Sequence, residues 1–213
     1  ASWLLVTFGT AYVYSLRETG KVVANCHKLP ASLFDRRRVG VDEMIRGWIP
    51  LIERLSDSNP ELRIMFTVSP IRHLRDGAHE NQLSKSVLLL FVDELCRMYP
   101  DRCIYFPSYE IVMDELRDYR FYDAGMTHPN EQAIRYIWER FSEACFSEET
   151  QTLNREWERL EKALNHRPLT PDKDAFRDFT MQNLFKLKKI WEKYSYFDLS
   201  KEIDSLELFL KTL

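Results

Sequence analysis

Apolar and polar positions along the chain switch between a two-residue and a helical period, and the switch points mark its elements. Trp3–Phe8 (WLLVTF) is an apolar run closed by Gly9, a pattern that predicts a strand buried on both faces, as parallel strands are. Tyr12–Leu16 and residues 21–25 flank the turn-like cluster Arg17, Glu18, Thr19 and Gly20. This predicts a hairpin-shaped excursion whose return arm delivers Asn25, Cys26 and His27. From Asp42, the positions Met44, Ile45, Trp48, Ile49, Ile52 and Leu55 form a helical stripe, ended by Ser58, Asn59 and Pro60. Residues 62–68 (LRIMFTV) read as a second strand closed by Ser69 and Pro70, followed by a polar loop as far as Gln82. Leu83, Val87, Leu90, Phe91, Leu95 and Met98 then trace a buried helical face ahead of a third strand at 103–106 (CIYF). Residues 108–116 read as helix. A polar turn follows and leads into an amphipathic helix that would bury Ile134, Ile137, Trp138 and Phe141.

This β-α-β-α-β-α succession predicts an α/β domain with a parallel sheet covered on both sides, and ligands of such sheets lie beyond the carboxyl ends of the strands. The polar loops fall there: Gly9 and Thr10 after the first strand, residues 69–82 after the second, and His128 after the last crossover. Three strands are few for an open sheet, and Ala1 begins close to a strand without an initiator Met. The expectation is therefore that further strands lie upstream. Beyond Phe146 the character changes. Ser147 caps a predicted helix with Leu153, Trp157, Leu160 and Leu164 on one face, ended by His166, Arg167 and Pro168. Thr170 and Pro171 start another, carrying Leu184, Leu187, Ile190, Trp191 and Tyr194, and Ser200 opens a last one with Ile203, Leu206, Leu208 and Leu210. The expected organisation is an α/β domain over residues 1–146 and a C-terminal helical extension over 147–213, whose apolar stripes pack on the domain, on a protein partner or on a second copy.

Composition narrows the function classes. A net charge of −3 and a pI near 6.0 give no bulk attraction to nucleic acid or to an anionic membrane. Cys26, Cys96, Cys103 and Cys145 are scattered and form no Cys-x-x-Cys pair, so neither a zinc site nor a disulfide framework is signalled and a reducing, cytoplasmic setting is expected. No run reaches the length of a membrane span, no signal peptide is visible, and no glycine-rich phosphate loop points to a nucleotide. No cofactor and no metal are expected.

Two polar stretches can carry chemistry. His128 stands two residues ahead of Asn130, a helix N-cap candidate, with Pro129 fixing the approach, so the imidazole is presented at a loop-to-helix junction suited to acid/base work. The bland alternative is a histidine that caps or packs. In the second stretch, Arg72, His73, Arg75, Asp76, His79, Asn81 and Ser84 crowd the mouth of the sheet. Two histidines six apart match no standard metal spacing, which leaves an anion or substrate clamp or a solvated loop whose polar groups satisfy one another.

Four separated blocks carry a resemblance: LVTFGTAYVY (5–14), VANCHKLP (23–30), FTVSPIRHLRDGAHENQLSKS (66–86) and YRFYDAGMTHPN (119–130). In that order they resemble the bacterial GSCFA family, and the likeness continues to about residue 149. That family resembles in turn the SGNH, or GDSL-like, esterases. The resemblance implies a flavodoxin-like, doubly wound parallel sheet and a serine hydrolase or acyltransferase acting on a small-molecule ester or an acylated glycan. It also implies that His128 is the base taking the serine proton. Three departures accompany it. Ala11 stands where the group has an oxyanion-hole asparagine, which makes Gly9, Thr10, Asn25, His27, Arg72, His73 and His79 the substrate or oxyanion candidates. Gly125 stands three residues before His128, where an aspartate is usual, and Asp123 becomes the candidate orienter through a different loop path. The GSCFA motif with its nucleophilic serine is not in these residues, and Ser15 and Ser69 lack a nucleophile elbow. The resemblance thus implies that the nucleophile lies upstream and that these residues alone have no esterase activity. The alternative reading is a non-catalytic module on the same scaffold, binding a glycan or an acylated metabolite.

Overall fold

In residues 1–141 the elements run β1 (Trp3–Phe8), β2 (Tyr12–Leu16), β3 (Val22–Val23), β4 (Phe34–Arg38), α1 (Val41–Ser58), β5 (Arg63–Val68), α2 (Ala78–Met98), β6 (Cys103–Tyr105) and α3 (Ser108–Glu110), before α4 (Glu131–Cys145) begins. The computed structural model of the protein describes residues 1–24, 26–165 and 173–211. β1, β5 and β6 form a parallel sheet in the order β1-β5-β6, with Trp3 opposite Arg63, Phe8 opposite Val68 and Ile64 opposite Cys103. This is the α/β architecture the periodicity predicts, built from apolar strands linked by amphipathic helices.

Two apolar layers hold the sheet. On one face Leu4, Val6 and Phe8 join Phe66 and Val68 against Ile52 and Trp48 of α1 and Leu88, Phe91 and Leu95 of α2. The Phe8 ring lies 5.2 Å from Trp48, 5.7 Å from Phe66 and 5.4 Å from Phe91, mostly edge to face, the arrangement aromatic quadrupoles favour. On the other face Met65, Phe106 and Ile111 pack against Tyr136, Ile137 and Phe141 of α4. The sequence expectation for β1 needs correction here. Only alternate residues of β1 face the packed core, while Trp3 is 40% and Leu5 56% exposed. The helix on that side packs on Met65 of the next strand, and among the described residues β1 has a strand neighbour along one edge.

The excursion after β1 is a second sheet, antiparallel in the order β3-β2-β4. Of the expected return arm, Val22–Val23 forms the strand and Asn25 lies outside the described residues; a third strand, FDRRR, joins the sheet where the apolar pattern predicts no element. The strand forms because Tyr12 to Leu16 supply a full ladder opposite it, and the Arg36 guanidinium stacks 3.8 Å from the Tyr12 ring centroid. The polar loop after β5 is also shorter than expected. Gly77, at φ 90, ends a single 3₁₀ turn, and α2 begins at Ala78, so His79 and Asn81 are helical.

Residues 142–213 form a second compact unit. Its helices are α5 (Glu148–Leu164), α6 (Lys173–Lys193) and α7 (Ser200–Leu210), and the Ser147 hydroxyl caps α5 by accepting from Thr150 N–H. Leu153, Leu160, Leu187, Ile190, Tyr194 and Ile203 make its core. Trp191 and Leu208, expected on the apolar stripes, are 38% and 66% exposed. The predicted helix end at His166 to Pro168 and start at Thr170 and Pro171 lie outside the described residues. Among the described residues no helix is long and apolar enough to cross a membrane.

Candidate functional site

The carboxyl ends of β1 and β5 are held together by one turn of α2. Lys85 is 1% exposed, and its Nζ donates to the carbonyls of Gly9 and Ser69, each at 2.6 Å. Burial pushes its pKa down to about 8. Its neighbour Ser84, also buried, accepts the Ala11 N–H through Oγ at 2.8 Å and meets Thr10 Oγ1 at 3.1 Å. The Gly9-Thr10-Ala11 turn is therefore fixed from below, with its Ala11 donor and its Gly9 acceptor both engaged. His73 covers the turn from the other side. Its backbone N–H donates to Asn81 Oδ1 at 2.9 Å, and its Nε2 is buried without a hydrogen-bond partner, 3.6 Å from where a Cβ on Gly9 would stand. Burial lowers the His73 pKa, the charges of Lys85, Arg36 and His128 add to that, and the Gly9 backbone opposes it. The ring is turned inward.

His128 sits on a narrow loop closed by backbone bonds. Tyr122 pairs antiparallel with Pro129, Asp123 N–H donates to the His128 carbonyl at 2.8 Å, and Asn130 N–H donates to the Phe121 carbonyl at 2.9 Å. Asn130 then caps α4, its Oδ1 accepting from Ala133 N–H at 3.1 Å, as its residue type predicts. The His128 Nδ1 is 2.9 Å from Thr127 Oγ1 and 3.7 Å from Asp123 Oδ2, and both His128 and Asp123 side chains are about half exposed. Among the described residues the Nε2 atom has no hydrogen-bond partner. Asp123 Oδ1 also accepts, at 3.4 Å each, from the N–H groups of Thr127 and His128, so one carboxylate organises the whole loop.

The loops after β5 and before α4 meet at Arg72. Its N–H donates to the Thr127 carbonyl at 3.0 Å, and its guanidinium lies 4.3 Å from the Tyr122 ring centroid and 5.1 Å from that of Tyr119. Gly9, Thr10, Arg72, His73, Asp123 and His128 thus form one linked group at the sheet's mouth. His79 is on the exposed first turn of α2, and among the described residues it makes no hydrogen bond or ion pair. His27 is exposed at the tip of the second sheet with a left-handed φ of 48, and Asn25 lies outside the described residues. Lys85 was missed, although its place three residues before Leu88 and seven before Val92 puts it on the buried stripe of α2. Beside the site a groove of about 350 Å³ runs between the β1-β5 face and α4, with Ser69 and Pro70 among its lining residues. Ile134 and Trp138, expected to be buried, line it and are 57% and 44% exposed, because the groove separates them from β1. Among the described residues no cluster of His, Cys, Asp and Glu could hold a metal ion.

Comparison with protein families gives two matches. The GSCFA family model matches residues 1–141, and that of the GSCFA domain protein, C-terminal domain, matches residues 157–212. No curated protein and no solved structure matches the chain. The first match takes in every residue of the linked group and the whole parallel sheet that carries it, and the chain belongs to the GSCFA family.

Proposed function

We propose that the protein is a carboxylic ester hydrolase or acyltransferase of the SGNH type, with His128 as its base. One observation carries the reading: an exposed imidazole whose Nδ1 faces Thr127 Oγ1 and the Asp123 carboxylate while its Nε2 has no partner among the described residues. That arrangement favours the tautomer with the proton on Nδ1, leaving Nε2 as the acceptor a nucleophile needs. In the reaction His128 takes a serine hydroxyl proton as the oxygen attacks the acyl carbon, then returns it to the departing alcohol. Water or a sugar hydroxyl then resolves the acyl-enzyme.

The proposal takes the serine from the family's own motif, which is not in these 213 residues. The serines at the strand ends are engaged: Ser69 Oγ accepts from Ile71 N–H, Ser84 Oγ from Ala11 N–H, and Ser108 Oγ donates to the Val68 carbonyl. Ala11 and Gly125, which stand where the resemblance has an asparagine and an aspartate, favour the second reading, a non-catalytic module that binds an acylated metabolite or glycan. Fluorophosphonate labelling of the protein with its GSCFA serine, in wild type and His128→Ala, separates the two. Labelling lost in the variant is the expected result, and folded protein that labels in neither form overturns the hydrolase reading.

A further inference from the structure

The charges around Arg72 are distributed unevenly. Asp76 is taken by Arg36, and Glu80 is taken by Arg38 and the Tyr12 hydroxyl, at 2.7 to 2.8 Å in each case. Arg75 donates to the Tyr14 hydroxyl. Arg72, by contrast, has no carboxylate partner among the described residues, yet it is not a loose surface side chain. Its guanidinium lies against Tyr122, which is itself buried, with the exposed Tyr119 ring alongside. His73, next in the chain, has Lys85, Arg36 and His128 as charged or titratable neighbours, and the Asp123 carboxylate is committed to its own loop and to His128. The mouth therefore presents a pre-oriented cation and little negative charge to answer it.

Lying over an aromatic face occupies the π-surface of a guanidinium; the Tyr122 hydroxyl also takes one Arg72 N–H, and the rest of the N–H edge is left for a planar, two-oxygen acceptor. We infer that Arg72, braced by Tyr119 and Tyr122, is a carboxylate-recognition group beside His128, so that the ligand carries a free carboxylate close to its acyl ester. The inference rests on the ester reading for the second half of that statement, while the carboxylate site is testable without turnover. The ammonium of Lys85 does not compete for this role, since both Gly9 and Ser69 carbonyls already hold it from below.

The test is binding to the protein followed by amide NMR, with succinamate as probe, a carboxylate joined to an amide that stands in for the ester. Succinamide is its neutral match and inorganic phosphate the competing anion. Succinamate should bind saturably and shift the Thr127 and His128 amides, and Arg72→Gln should weaken it about ten- to a hundredfold, the loss of one charge-assisted pair. Arg72→Lys should restore part of the affinity. Tyr119→Leu, an exposed change that leaves the fold intact, should also weaken binding. Equal affinity for succinamate and succinamide, or tighter Arg72-dependent binding of phosphate, overturns the assignment. Binding as expected without labelling by fluorophosphonate would leave the carboxylate site standing and remove the hydrolase.

Discussion

Asp123 and Gly125 share one small volume: a Cβ at position 125 would stand 3.4 Å from Asp123 Oδ1 and 3.8 Å from Oδ2. The carboxylate that faces His128 therefore comes from position 123 and lies against Gly125. Gly125→Asp would set two carboxylates side by side and drive one of them out by repulsion. The expected pattern is read from the His128 ring tautomer by nitrogen NMR. Wild type should hold the proton on Nδ1, Asp123→Asn should give a mixture, and the double variant Asp123→Asn, Gly125→Asp should return toward wild type. In the protein with its GSCFA serine, Asp123→Asn should also slow the proposed ester turnover, by about tenfold or more. A proton on Nε2 in the wild-type ring would contradict the proposed role of Asp123.

How much of this was legible in the sequence depends on which interaction decided each element. The parallel strands and the long helices of the α/β part follow from apolar periodicity, which is local, and the structure has them within a residue or two except at the start of α2, which begins five residues before Leu83. The ends of β1 and β5 were legible as polar mouths because Gly9, Ser69 and Pro70 punctuate apolar runs. β4 was not, since FDRRR becomes a strand only through its ladder with β2, a non-local pairing that charge content conceals. His27 and His79 looked like site residues by type and proximity in sequence, but the direction in which a loop or a first helical turn projects is set by tertiary packing. Lys85 was hidden by the converse effect: a lysine between two serines reads as surface, and only the two carbonyls it bridges make its burial tolerable.

Ser84 is a small residue with a large predicted effect. Removing its hydroxyl leaves the N–H of Ala11, itself buried, without an acceptor and frees Thr10 Oγ1. Ser84→Ala should cost about 1–3 kcal/mol, the penalty of an unsatisfied buried donor, measured by urea unfolding. Ser86→Ala, two residues along, loses only an exposed bond to the Gln82 carbonyl within the same helix and should be near neutral.

In the C-terminal unit, adjacent residues should separate packing from charge. Leu187 is fully buried in the helical core, and Lys188 makes an exposed ion pair with Glu207 at 2.6 Å. Leu187→Ala should destabilise this unit by about 2–5 kcal/mol. Lys188→Ala should change it by less than about 1 kcal/mol, as exposed pairs do. Hydrogen exchange at the amides of α5, α6 and α7 reads both, and comparable losses would mean the core is not centred on Leu187.

Lys85 ties stability to alkaline pH with a definite sign. Its folded pKa is lowered to about 8 against an ordinary 10.5, so below pH 8 the amine is charged in both states and contributes no pH dependence. Between pH 8 and 10.5 the unfolded chain holds the extra proton, unfolding takes one up, and stability rises with pH, with a slope no steeper than ~1.4 kcal/mol per unit. Deprotonation does not break the bridge, because a neutral amine keeps two N–H donors for the two carbonyls of Gly9 and Ser69. Lys85→Met removes this titration and nothing else that ionises. The stability of wild type minus variant, from urea unfolding at pH 7, 8, 9 and 10, should therefore be flat to pH 8 and climb in favour of wild type above it. A difference that stays level to pH 10 would mean the ammonium is as well solvated folded as unfolded, and one that falls would mean the two carbonyls favour the charged form more than burial opposes it.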